Sequence, residues 1–156
     1  MDLERRRALI ERYRAGPRVV EAALAGASEA ELDARPADGG WTAREVAHHL
    51  PDSEMTAAIR LRRLIVEDQP VIQGYDQDLF ARRLHYGRPI ASSVAALAAV
   101  RAVTADLLDC LTDDEWLRAG THSDSGAYSV LDWLEIYAAH AHDHADQIRQ
   151  ARASRA

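Results

Sequence analysis

The stretch EIYAAHAHDHADQI, Glu135 to Ile148, carries histidine at every second position, His140, His142 and His144. Imidazole carries protons near neutral pH and, when neutral, is the commonest side-chain ligand for divalent transition metals, so the chemistry to test is proton transfer or metal binding. On a helix, residues advance by about 100°, which leaves His140 and His144 about 40° apart and one turn along the axis, close enough to share an ion. His142 is turned about 160–200° away from both. The same projection sets Trp133 and Tyr137 beside the pair, on the flank of an apolar face made by Val130, Leu134, Ala141 and Ile148. A lone His-x-x-x-His carries little weight, because seven histidines in 156 residues produce one by chance about 0.3 times.

A third ligand is therefore needed, and WTAREVAHHLPDSE, Trp41 to Glu54, offers two. With Val46, Leu50, Ala57, Leu61 and Leu64 as the buried stripe, His49 lies about 80° from its centre, at the edge, and His48 about 180° away, facing water. His49, His140 and His144 on two facing helices would give three neutral imidazoles for a divalent transition metal with an open coordination position. The alternative on spacing alone is three separate boundary histidines satisfied by water or carbonyls. His48, His85, His122 and His142 read as ordinary polar residues, with His122 noteworthy for its place in a Gly/Ser loop.

Four long helices must position these residues. Apolar periodicity and start signals predict them at about Asp2–Ala25, Thr42–Val66, Ala91–Leu111 and Ser129–Ala153. Thr42 with Glu45 and Ser129 with Asp132 form capping boxes. Gly16-Pro17 is expected to bend or break the first helix. No segment alternates as a strand would, so the expectation is an all-α protein, a four-helix bundle in a single domain over residues 1–156. A weak internal symmetry supports two similar units: each has a long helix, a short capped turn (Ser28–Glu31, Thr112–Glu115) and a second long helix, to be packed as halves of one bundle. The long connection Glu67–Pro89 crosses between helices two and three and is long enough to cover a site.

Composition narrows the classes. The net charge of −6 argues against a nucleic-acid surface, which needs a concentrated basic face; RLRR at Arg60–Arg63 reads as one side of a helix. No basic, apolar leader follows Met1 and no apolar run approaches the roughly 20 residues of a membrane span, so a cytoplasmic protein without membrane or nucleic-acid partners is expected. Cys110 is the only cysteine and is expected to pack among Leu107, Leu108 and Leu111.

The segments GGWTAREVAHHLPDSEM (Gly39–Met55), VIQGYDQDLF (Val71–Phe80) and YAAHAHDHADQI (Tyr137–Ile148), in this order and separation, resemble the DinB-like superfamily and, within it, the YfiT-like metal-dependent hydrolases. The resemblance implies a four-helix bundle with a long crossover after helix two, a homodimer, and one nickel or zinc ion on histidines that match His49, His140 and His144. It implies an enzyme acting on a small-molecule substrate. Water as the activated nucleophile would make a hydrolase; a low-molecular-weight thiol cosubstrate would make an S-transferase of the bacillithiol or mycothiol type; a non-catalytic metal-binding bundle is the third reading. Among Asp52, Glu54, Asp76, Asp143 and His122 as candidate bases, Asp76 in the crossover is best placed to reach the open side. Pro51 departs from the small residue usual there, and is expected to bend helix two next to His49.

Overall fold

The computed structural model describes residues 1–154. Four long helices form the bundle: α1 (Leu3–Leu24), α3 (Ala43–Val66), α5 (Ala91–Asp109) and α7 (Val130–Ala153). Short helices α2 (Glu29–Leu32), α4 (Gln77–Arg83) and α6 (Asp113–Trp116) lie in the connections. Each start has a local cause. Thr42, Ser28, Thr112 and Ser129 accept hydrogen bonds from the backbone three residues on, and Glu45, Glu31, Glu115 and Asp132 reach back, so four capping boxes satisfy otherwise orphaned amides. Neither interior proline interrupts its helix: α1 runs through Pro17 and α3 through Pro51.

The two units do not pack as separate halves. α1 packs against α7 and α5, and α3 against α5 and α7, so the two long helices of each unit sit on a diagonal and are flanked by those of the other. The close approach of α1 to α7 requires glycine at position 16, where a Cβ would collide with the Arg101 guanidinium and come within 2.9 Å of the Ala141 Cβ. Apolar side chains fill the interior in two layers along the axis. One is built around Tyr13, Leu61, Leu64, Leu108, Trp133 and Leu134, the other around Val20, Val46, Leu50, Leu97 and Ile148.

The chain is not purely helical. A three-stranded sheet joins β1 (Val71–Ile72), parallel to β2 (Ala119–His122), and antiparallel β3 (Gly126–Ser129). Strands this short show no legible alternation, and their pairing rests on tertiary approach. Gly120 lies against the Pro70 carbonyl so closely that no Cβ would fit, and Thr121 N donates to that oxygen at 2.9 Å. The sheet ties the crossover to the start of α7.

By length and composition α5 is apolar enough to cross a membrane, contrary to the expectation of no such run. Here it is a bundle helix, burying Leu97, Arg101, Thr104, Ala105 and Leu108. Arg101 meets Glu54 of α3 at 2.7 Å, both side chains at or below 1% exposure. Cys110 ends α5 on the surface instead of packing.

Candidate metal centre

His49 sits in the second turn of α3, and His140 and His144 are a turn apart on α7. The structure brings these three together: one ring nitrogen from each lies within 4.8 Å of the others. The rings are 4.8 Å (His49–His144), 5.5 Å (His49–His140) and 4.5 Å (His140–His144) apart, centroid to centroid, and all steeply tilted to one another. His49 Nε2 and His140 Nδ1 are buried without any hydrogen-bond partner. Such atoms are rare because burial without a partner forfeits the interaction with water. A divalent transition ion satisfies that need, and the donor set suits it.

The surroundings prepare the donors. Burial, and then the neighbouring His144, push the His49 pKa down to about 3. Burial, followed by His144, His49 and Arg101, takes His140 down to about 2. Burial also lowers His144, against the opposing pull of Gln147 and Asp143. All three are neutral at pH 7 and carry a free lone pair. His144 Nδ1 lies 2.7 Å from Gln147 Oε1; as the amide oxygen can only accept, the proton sits on Nδ1 and Nε2 is left for an ion. Trp41 packs edge-on to His49 at 4.8 Å. Trp41 and Gln147 also line an open cleft of about 410 Å³ with Pro36, Asp38 and Gln150.

These depressed pKa values set a pH dependence for the metal-free protein. Unfolding releases His49 and His140 to the ordinary value of 6.5, so below pH 6.5 the unfolded chain binds protons that the folded chain refuses, and stability falls as pH falls. Between pH 7.5 and 5.5 each imidazole removes about 1.4 kcal/mol, roughly 3 kcal/mol together. Urea midpoints at the two pH values should show at least that loss in the wild type, since the lowered His144 and His48 add to it, and about 1.4 kcal/mol less in His140→Ala.

His142 faces away, as the projection requires, with Nε2 2.9 Å from the Arg12 carbonyl. His48 does not face water. It is fully buried, its Nδ1 2.7 Å from Ser93 Oγ and its Nε2 2.8 Å from the Arg88 carbonyl. The side of α3 opposite the bundle stripe is covered by the crossover, and Tyr86 from that segment packs beside His48 and donates to Asp52 at 2.7 Å. Asp76 is exposed and caps α4, its Oδ1 accepting from Leu79 N at 2.8 Å. Tyr75, next to it, turns inward to Ser53 and Arg60 of α3. His122 rests against Tyr128 at the sheet.

Sequence reasoning overlooked Gln147, Trp41 and Arg101. Gln147 stands three residues after His144, the spacing at which helical side chains meet, and Arg101 is the one charge between Ala91 and Ala105 in an apolar helix; both signals were available.

Residues 12–148 match the model of the DinB superfamily, and the chain belongs to that family. A relative from Oceanobacillus iheyensis named "Putative metal-dependent hydrolase" is 36% identical over 128 residues, 82% of this chain and 74% of the relative. The protein from Bacillus subtilis named "Putative metal-dependent hydrolase YfiT" is 32% identical over 136 residues, 86% of this chain and 76% of its own. The solved structure of that protein, described as "a probable metal-dependent hydrolase with an unusual four-helix bundle topology", superposes with a TM-score of 0.92 at 28% identity, covering 97% of this chain and 87% of that one.

Proposed function

We propose that this chain is a metal-dependent hydrolase in which His49, His140 and His144 hold one divalent transition ion, nickel or zinc. The observation that carries the reading is the convergence of three neutral imidazoles, two of them with buried nitrogens that have no protein partner. When bound, the ion would supply Lewis acidity, polarising a substrate carbonyl and making a coordinated water or small thiol acidic enough to attack. The chain's own part is to hold the three rings in register. Gln147 fixes the His144 tautomer, Trp41 backs His49, and the buried surroundings keep the imidazoles neutral. The crossover carboxylate Asp76 is the proposed proton acceptor, through the oxygen not engaged in capping α4.

Hydrolysis is preferred because the relatives from Oceanobacillus iheyensis and Bacillus subtilis carry that name; transfer to a low-molecular-weight thiol is the second reading, since three protein ligands leave a position for either nucleophile. The test is a paired assay of metal-loaded protein from a purification without added metal. One arm measures cleavage of ester and amide substrates, the other consumption of an electrophile with and without thiols. Hydrolysis that needs metal and no thiol, reduced in Asp76→Ala at unchanged metal content, supports the proposal. Turnover only with thiol replaces it by the transferase reading.

A further inference from the structure

The buried and half-buried arginines of this bundle are mostly neutralised. Arg101 meets Glu54, Arg44 meets Asp33 and Glu29, Arg118 meets Asp68, and Arg152 meets Glu31. Arg60, half-buried on α3, forms no salt bridge among the described residues. Its Nη2 donates to the Gln73 carbonyl at 2.6 Å, its Nη1 makes a long 3.4 Å contact with the Tyr137 hydroxyl, and its Nε is buried with no partner at all. A guanidinium partly withdrawn from water, with neither counter-ion nor a full set of acceptors, is unfavourable, and such groups are usually paired.

Two phenols lie beside this charge, Tyr75 and Tyr137. The Arg60 guanidinium carbon lies 5.6 Å from the centre of the Tyr75 ring, and Arg60 acts electrostatically on Tyr75, Tyr128 and Tyr137 alike. This cluster adjoins the three histidines. Tyr137 is three residues before His140, with its ring edge-on at 5.7 Å. Tyr75 approaches Ser53, one helical turn beyond His49. The crossover that carries Gln73 and Tyr75 is fastened to the turn between β2 and β3, Gly74 N donating to Ser123 Oγ at 2.8 Å.

We propose that Arg60, with the Tyr75 and Tyr137 hydroxyls, binds the carboxylate of a substrate whose reacting group lies at the three histidines. The second half of that statement rests on the function proposed above; the anion site itself does not. Arg60 supplies the charge, and the phenols supply hydrogen bonds that hold the acid end at a fixed distance from the metal centre. A monoanion fits better than a phosphate dianion, because one guanidinium offers a single positive charge and the Asp52 and Asp132 carboxylates act on Tyr75 and Tyr128 from the same neighbourhood.

The test uses the full chain, metal-free and zinc-loaded, titrated with hexanoate, hexanol and inorganic phosphate while the Arg60 Nε–H resonance is followed by NMR. Hexanoate is expected to shift that resonance saturably in both forms, with hexanol silent and phosphate weaker. Arg60→Gln, checked for unchanged melting, should weaken hexanoate at least tenfold. An unmoved Nε–H in the wild type overturns the proposal without recourse to any variant, and so does equal binding by Arg60→Gln or tighter binding of phosphate. Zinc uptake with no hexanoate effect removes the anion site alone. Hexanoate binding in a chain that takes up no metal removes the metal reading and keeps the site.

Discussion

His140→Ala should leave the chain without tightly bound metal, where the wild type is expected to hold one divalent ion. The ring supplies one of three nitrogens that lie within 4.8 Å of one another, and alanine supplies nothing. If the roughly 10–16 kcal/mol of a four-ligand structural zinc site is shared among its ligands, one imidazole carries about 3–4 kcal/mol, or two to three orders of magnitude in affinity. His49→Ala and His144→Ala should behave alike. His142→Ala is the control, because that ring bonds the Arg12 carbonyl on the other side of α7. His48→Ala separates two effects: it should keep the metal but lower the melting temperature, since it strands Ser93 Oγ and the Arg88 carbonyl that it now joins. Elemental analysis after dialysis reads the stoichiometry, and full retention of metal by His140→Ala overturns the proposed ligand set.

What the sequence made legible follows from range. Capping boxes depend on residues three apart, and all four helix starts that carry one were readable or hinted at in Thr42–Glu45, Ser129–Asp132, Ser28–Glu31 and Thr112–Glu115. The relation of His140, His144 and His142 is a property of one helix, so rotation per residue sufficed. His48 was misread because its environment comes from Tyr86, Arg88 and Ser93, some 40 residues distant, and a single helix wheel has no knowledge of a covering segment. The sheet escaped notice for a similar reason. β1 has two residues, too few for a period, and it exists only because Gly120 admits the Pro70 carbonyl. The diagonal placement of α1 and α3 likewise depends on which small residues meet, Gly16 against Ala141, and that pairing is invisible along the chain.

Arg101→Ala should be among the most destabilising single changes in the bundle, because this side chain joins all four long helices. Its Nε donates to Glu54 Oε2 of α3 at 2.7 Å, Nη1 to the Tyr13 carbonyl of α1 at 2.8 Å and Nη2 to the Tyr137 carbonyl of α7 at 2.9 Å, from its own position on α5. The guanidinium lies over the Tyr13 ring at 4.3 Å, and the Tyr13 hydroxyl donates to the other Glu54 oxygen. Alanine would leave the Glu54 carboxylate fully buried with one phenol for company. Breaking a buried pair from one side costs about 3–5 kcal/mol, which for a chain of this length lowers the melting temperature by roughly 10–15 °C. Exposed pairs such as Arg5–Glu135, at 63% and 48% exposure, should yield under about 1 kcal/mol when cut. Arg101→Met combined with Glu54→Leu should recover much of the loss, since replacing both partners removes two desolvated charges together while keeping apolar volume. Thermal melts of the two single variants and the double variant, in metal-free protein, read this directly. If the double variant is no more stable than Arg101→Met alone, the stranded carboxylate is not the source of the loss; the missing anchors on the Tyr13 and Tyr137 carbonyls would then be what holds α1 and α7 to α5.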